Sequence, residues 1–297
     1  MGRLLERYLD AHRHVPRSAL RALLLRLRRG AGVHLCLHRV CGGEVSPGDT
    51  TIPEPALDEL MYLLGADQSL GDGSVLAAHF DDGYADAADY VRRHISTLPA
   101  VRWYFHVCPE KARARAGFRW DSSAAAETVF GPPFEPATEN QRESLRGLAD
   151  APASRLATVE ELTELRDRYG VILGNHTNCH FPLLALEAEQ AEAELVDSAR
   201  DFQSLWGHTE HFAFPFGVPQ KHFGPQHVTR ASALGYRRFY TTEPRPHFDE
   251  GHPAPLLIPR FAVFGTWPAR RYALFIATIL LREQLRRRVR RVQRRSP

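Results

Sequence analysis

The chain lacks a cysteine framework. Its four cysteines among 297 residues, Cys36, Cys41, Cys108 and Cys179, show no C-x-x-C spacing. That excludes a disulfide scaffold and a structural zinc knuckle and fits a reducing compartment. Long apolar runs are missing too. The longest, Tyr272 to Leu281, is about half of the ~20 residues a membrane-spanning helix needs. There is no signal-peptide pattern: Ala22-Leu23-Leu24-Leu25 is cut by Arg26 and no small-residue cleavage site follows. These absences predict a cytoplasmic chain. Lysine is scarce as well, because all but Lys111 and Lys221 of the 38 basic residues are arginine. The arginines crowd the ends, leaving residues 1 to 30 and 282 to 297 strongly basic under a modest net charge of +3.

What is present reads as alternating strands and helices. Residues 1 to 30 form a basic helical extension broken at Pro16. Val33 to Val40 alternates as a strand, which puts His34, Cys36 and His38 on one face with His38 at the C-terminal end. Pro53 to Leu64 is a short helix with Thr51 as its cap, Val75 to Ala78 a buried strand, Ala85 to His94 a helix and Val101 to Val107 a strand. Residues 109 to 157 break the rhythm with five prolines and read as a loop-rich insertion. Thr158 and Glu161 then form a capping box for a helix that ends near Gly170. Val171 to Gly174, His211 to Phe214, Arg238 to Thr241 and Leu257 to Val263 read as further strands, with helices at Glu187 to Trp206, at about His227 to Gly235 and at the C-terminus. This order predicts a parallel sheet closed into a barrel of six or seven strands.

Two motifs stand where strands end. Asp81 and Asp82 follow Val75 to Ala78, and His176 and His180 follow Val171 to Gly174. Spacing alone does not single out the histidines, since a chain with 15 histidines also contains the pair His34 and His38. On their own residues, Asp82 as a helix cap and Gly83 as a turn are as good a reading as a catalytic site. Position separates the readings. In a parallel barrel all strand C-terminal ends open on one rim, so His38, Asp81, Asp82, His176 and Phe216 would converge there. One carboxylate and two imidazoles leave positions open on a divalent ion such as Zn²⁺, the arrangement of a hydrolase.

Phe80-Asp81-Asp82-Gly83, His176-Thr177-Asn178-Cys179-His180 and Phe212-Ala213-Phe214-Pro215-Phe216-Gly217 resemble, in order, the three leading motifs of the polysaccharide deacetylase family of NodB-homology proteins. The similarity runs from about Val33 to Val263. It implies a distorted (β/α)7 barrel at residues 31 to 266, interrupted at about 109 to 157 and flanked by helical extensions at 1 to 30 and 267 to 297. It also implies metal-dependent removal of an acetyl group from a sugar. Carried over, Asp82, His176 and His180 would hold the metal, Zn²⁺ with Co²⁺ or Ni²⁺ as alternatives. Asp81 would be the base that activates the attacking water, and the backbone N–H of Phe216 would help hold the oxyanion. The family's acid is usually a histidine near the C-terminus, and no histidine follows His252. Leu35 to Val40 resembles the last motif of a circularly permuted form, which makes His38 the acid.

Two departures remain. Ala213 stands where many members have the arginine that pairs with the base, and Arg260 is the candidate replacement. The Asp-Trp motif that lines the acetyl pocket in other members is not evident. The substrate expected is an N-acetylated sugar, as a lipid- or nucleotide-linked glycan precursor. Residues 268 to 297, apolar and then Arg-rich, predict peripheral contact with an anionic membrane at its inner face. They lack the interleaved aromatics of a nucleic-acid module, so nucleic acid is set aside. A deformylase or amidase acting on a non-sugar substrate, and a catalytically silent scaffold that binds glycan or lipid, are the rival readings.

Overall fold

The computed structural model describes residues 14–42, 50–115, 118, 155–249 and 254–293. Helix α1 (Arg17–Leu27) leads into β1 (Gly32–Leu37), β2 (Arg39–Cys41) and β3 (Thr51–Pro53), then α2 (Glu54–Leu64). Next come β4 (Val75–Asp82), α3 (Ala85–His94), β5 (Val101–Val107) and α4 (Pro109–Ala114). After the insertion follow α5 (Val159–Tyr169), β6 (Ile172–Asn175), α6 (Ala188–Trp206), β7 (His211–Ala213), α7 (Pro225–Ala233) and β8 (Arg238–Thr241). The chain ends with β9 (Leu256–Pro259), β10 (Phe261–Ala262) and α8 (Ala269–Gln293). Strands β2 and β3 form a small parallel pair, and the other eight form one parallel sheet in the order β10-β1-β4-β5-β6-β7-β8-β9.

The sheet nearly closes on itself. Only Arg260 separates β9, which pairs with β8, from β10, which pairs with β1. The strand expected as Leu257 to Val263 is thus split in two. Pro259 has no N–H to give a ladder, and Arg260 sends its guanidinium across to Asp81 instead. Counted as one strand position, β9 and β10 bring the total to seven, the distorted (β/α)7 barrel.

Local chemistry fixes the elements that carry the site. Helix α5 begins with a capping box in which Glu161 N–H donates to Thr158 Oγ1 at 3.2 Å and Thr158 N–H donates to Glu161 at 2.8 Å. Its end falls at Gly170 in the left-handed conformation, φ 69°. Thr51 is not the cap of α2. It lies in β3, and Pro53 precedes the helix without a side-chain cap.

Both terminal helices lie on the barrel. Leu20, Leu24 and Leu27 of α1 are buried in one apolar cluster with Leu57 and Leu60 of α2 and Ala273, Ile276 and Leu280 of α8. Each such leucine contributes about 1.5–3 kcal/mol. Most of the apolar run Tyr272 to Leu281 is therefore spent against the barrel, and Leu281 alone of its large residues is exposed. Among the described residues no helix is long and apolar enough to cross a membrane. The residues between 118 and 155 lie outside the described residues, and with them most of the expected insertion.

Inside the barrel, side chains from alternate strand positions fill the lumen with rings. His34, His79 and His106 from adjacent β1, β4 and β5 form a hydrogen-bonded row, with ring nitrogens 2.9 Å and 3.0 Å apart. Tyr104 stacks on His79 with centroids 4.2 Å apart. Gly174 of β6 leaves the space the row needs, since a Cβ there would stand 2.4 Å from His106 Nδ1.

Candidate active site

Asp81 and Asp82 end β4, and their side chains are almost fully buried. Consecutive residues of a strand point to opposite sides. Here Asp82 leaves the extended conformation, with φ 74°, and Gly83 follows at φ 83°. This reversal brings both carboxylates to the same rim. Asp82 is not a helix cap: the residue at the start of α3 is Tyr84, and no side chain caps that helix. Of the six described non-glycine residues with positive φ, Asp82, Thr177 (63°), His180 (60°) and Phe216 (60°) all belong to this rim. Such conformations cost about 1–3 kcal/mol each and collect where surrounding contacts impose them for function.

The two carboxylates have different partners. Asp81 receives two hydrogen bonds from Arg260, Nη1 to Oδ1 at 2.7 Å and Nη2 to Oδ2 at 2.9 Å. Arg260 is fully buried and also donates its Nε–H to the Thr241 carbonyl at 3.2 Å. Burial alone would push the Asp81 carboxyl up, but the Arg260 charge beside it outweighs burial and holds it well below the usual carboxylate range. The Cys36 thiol donates to Asp81 Oδ2 at 3.4 Å, and burial keeps that thiol protonated.

Asp82 faces the histidines. Its Oδ1 lies 3.2 Å from His180 Nε2 and 3.7 Å from His176 Nε2, sealed from solvent and with no hydrogen bond that meets ordinary geometry. The two Nε2 atoms are 3.1 Å apart. His176 Nδ1–H donates to the Ala213 carbonyl at 2.8 Å, so in the neutral ring Nε2 presents its lone pair to Asp82. Burial lowers the His176 pKa to about 4 and favours that neutral ring. Asp82, His176 and His180 each offer a ligand atom within 4.8 Å of the others. A buried, unsatisfied carboxylate oxygen against two imidazoles fits a divalent cation of borderline hardness better than it fits any arrangement of the side chains alone.

The histidine turn is bolted down from behind. Asn178 and Cys179 donate their backbone N–H groups to one oxygen of Glu194, on α6, at 2.7 Å and 2.6 Å. Asn178 Nδ2 donates to Asp201 at 2.8 Å, and the Glu110 N–H donates to Asn178 Oδ1 at 3.2 Å. Asn175 Oδ1 receives the Thr177 N–H at 2.7 Å, and Thr177 Oγ1 receives that of His180 at 3.2 Å. These bonds hold the left-handed residues in place.

The structure brings together all seven residues singled out from sequence. His38 lies one residue beyond β1, with a ligand atom within 4.8 Å of those of Cys36 and Asp81, and its buried Nδ1 has no hydrogen-bond partner. The Phe216 ring packs on His180 with centroids 5.1 Å apart, and Thr242 Oγ1 fixes the Phe216 carbonyl at 2.8 Å. Sequence reasoning missed Glu194, Asp201 and Phe118. Phe118, from the insertion, packs edge-on against His180 at 5.5 Å. No signal marked the acids, which look like any other residues on the acidic helix α6.

No protein-family model matches the sequence, and no curated protein does. Solved structures do. A polysaccharide deacetylase from Bacillus cereus superimposes with a TM-score of 0.55 at 16% identity, covering 83% of this chain and 69% of that one. A de-N-acetylase from Aggregatibacter actinomycetemcomitans gives 0.51 at 11% identity, covering 82% of this chain and 99% of that one. At such identities the likeness speaks for architecture, and the chain is built on the fold of the polysaccharide deacetylases.

Proposed function

We propose that this chain is a divalent-metal-dependent hydrolase that removes the acetyl group from an N-acetylated sugar. The observation that carries this reading is the division between neighbouring carboxylates: Asp81 is clamped by Arg260, while Asp82 turns an unsatisfied oxygen toward His176 and His180. The deacetylases that share the fold support the reaction class. Asp82, His176 and His180 would hold the cation, Zn²⁺ first and Co²⁺ or Ni²⁺ as substitutes. Once bound, the cation supplies Lewis acidity, polarising the amide carbonyl and making water a better nucleophile.

The chain's own groups do the rest. Asp81 takes a proton from the attacking water as its oxygen bonds to the acetyl carbon. Arg260 keeps Asp81 ionised and aimed. The Phe216 backbone N–H donates to the developing oxyanion, an interaction whose loss typically costs ~2.7–4 kcal/mol. His38 gives a proton to the departing nitrogen as the C–N bond breaks, leaving acetate and a free amine. In this reading the chain is circularly permuted, and β1, which lies between the split last strand and β4, carries the last motif. We extend the reading to a lipid- or nucleotide-linked glycan precursor as substrate.

The test is an acetate-release screen over N-acetylated sugars, nucleotide sugars and lipid-linked sugars with Zn²⁺, Co²⁺ or Ni²⁺ added, and with Asp81→Asn as control. Acetate released by the wild type alone supports the reading. Formate released from formylated amines in place of acetate would move the chain to the deformylases, and protein that binds no metal would remove the catalytic reading altogether.

A further inference from the structure

The N-terminal ends of the strands form the end of the barrel opposite the carboxylate rim. Helix α8 runs back along the barrel, and Gln284 Nε2 donates to the Leu27 carbonyl at 2.6 Å, just before β1 begins. Arg287 stacks over Phe248 at 3.9 Å, beside His247, which pairs with Gly32 at the start of β1. Residues 284 to 287 therefore stand level with the N-terminal ends of the strands, and the last turns of α8 project past them.

On this projecting part the apolar residues come outward. Leu281, Leu285 and Val289 are 47%, 51% and 56% exposed and, four residues apart, form one stripe. Exposed Arg282, Arg286, Arg288 and Arg290 flank them, and the only acid of α8 is Glu283, which pairs with Arg286. Leu23 of the adjoining α1 is also 43% exposed. A groove of about 590 Å³ lies at the same end, lined by Leu25, Arg26 and Arg29 of α1 and the following turn together with Gln68 and Ser69. Apolar side chains set among arginines that outnumber the one acid, Glu283, suit a surface that is apolar beneath and anionic on top.

We propose that this end of the barrel docks on an anionic phospholipid bilayer, with Leu281, Leu285 and Val289 entering the acyl boundary and the arginines of α8 and the groove contacting lipid phosphates. Charge complementarity selects this occupant, because an apolar protein partner would leave the arginines unmatched. The docking residues are not the run Tyr272 to Leu281 as a whole, most of which is buried against the barrel. Docked this way, the rim bearing Asp81 and Asp82 faces away from the bilayer, which favours the nucleotide-linked form of the proposed substrate, reached from the aqueous side. The proposal does not depend on the reaction assigned to the rim.

The experiment is co-sedimentation of the full-length chain with vesicles of phosphatidylcholine, alone or mixed with phosphatidylglycerol. Mixed vesicles should retain the protein and neutral ones should not, and raising salt to about 0.5 M should release most of it. The triple variant L281S/L285S/V289S and, separately, R286E/R290E should each lower partitioning by about tenfold or more, with unchanged thermal melts as the check on folding. Wild-type protein that ignores mixed vesicles, or variants that bind as well as wild type, would overturn the proposal. So would a concentration-dependent dimer that the triple variant abolishes, since a second copy would then own the stripe.

Discussion

Arg260 grips both carboxylate oxygens of Asp81, at 2.7 Å and 2.9 Å, across 179 residues of sequence. With Ala213 at the end of β7, this buried pair is the charge that keeps Asp81 anionic. Replacing Arg260 by Ala should leave a buried carboxylate without its partner, at a cost of about 3–5 kcal/mol. The Asp81 pKa should rise, because Arg260 is what overrides burial there. In the wild type the carboxylate contributes stability above its unfolded pKa, lost as pH falls through the lowered folded value, and the variant should lose that contribution at higher pH. The measurement is the urea midpoint against pH, together with the acid limb of any pH–rate profile. Arg260→Lys should recover part of both, as it restores charge without the two-pronged geometry. An unchanged acid limb in Arg260→Ala would separate the pair from catalysis.

The neighbouring carboxylates should separate cleanly by assay. Asp82→Ala should abolish stoichiometric metal uptake, measured on protein dialysed against buffered Zn²⁺. Asp81→Asn should keep the metal and lose about 10²–10⁴ in rate on a confirmed substrate. Loss of metal in both would merge their roles and contradict the division drawn from the geometry.

His38→Ala should keep its metal and lose the alkaline limb of the pH–rate profile, because the departing amine would have no protonated donor. An unchanged bell would place the acid elsewhere on the rim.

Much of the barrel could be read from the chain because period and punctuation agree in it. Helix Ala85 to His94 and strand Val101 to Val107 fall at the residues that periodicity indicates, and the capping box at Thr158 and Glu161 forms both of its bonds. The convergence of His38, Asp81, His176 and Phe216 followed from one rule, that parallel strands end together. What resisted reading depends on three-dimensional register. Period two puts His34, Cys36 and His38 on one face, but only the pairing of β1 with β4 shows that His34 meets His79 in the lumen while Cys36 meets Asp81. The break at Arg260 was hidden because Leu257 to Val263 looks continuous until the guanidinium finds its partner.

Glu194 illustrates the same limit and yields a prediction. One of its oxygens holds the N–H groups of Asn178 and Cys179, so it shapes the turn between the histidines without touching the donor atoms. Glu194→Ala should weaken Zn²⁺ affinity about 10–100-fold, the usual effect of losing an outer-shell support. Glu194→Gln should restore most of it, since an amide oxygen can accept the same bonds. Equal loss in both variants would point to charge, and no loss in either would show that the turn holds itself.

The row His34, His79 and His106 sets the acid limit of the fold. Each ring is fully buried, and burial lowers His34 to about 3 and holds His79 and His106 well below the ordinary histidine range. The groups around the row, Arg102, Arg260, His247 and His211, also resist a further proton, and Asp81 favours one, at His106. Hydrogen bonding agrees. A neutral ring has one donor and one acceptor, so two bonds along three rings need every N–H to point the same way. His106 Nδ1 is buried without a partner, which places the His106 proton on Nε2 and directs the row toward His34. A proton added to His34 or His79 would set two donors against each other, and one added to His106 would sit on a buried Nδ1 with no acceptor. In the unfolded chain the same histidines titrate near 6.5, so the unfolded state binds more protons at every pH from there down to the lowered folded values. Stability should therefore be full above about pH 7 and fall as pH drops, approaching about 1.4 kcal/mol per pH unit for each histidine. Urea midpoints measured between pH 7.5 and 5 (roughly the window over which unfolded histidine gains its charge) should drop steeply, and His34→Leu should flatten the slope even where it lowers overall stability. A flat wild-type profile would mean that the row accepts protons in the folded barrel.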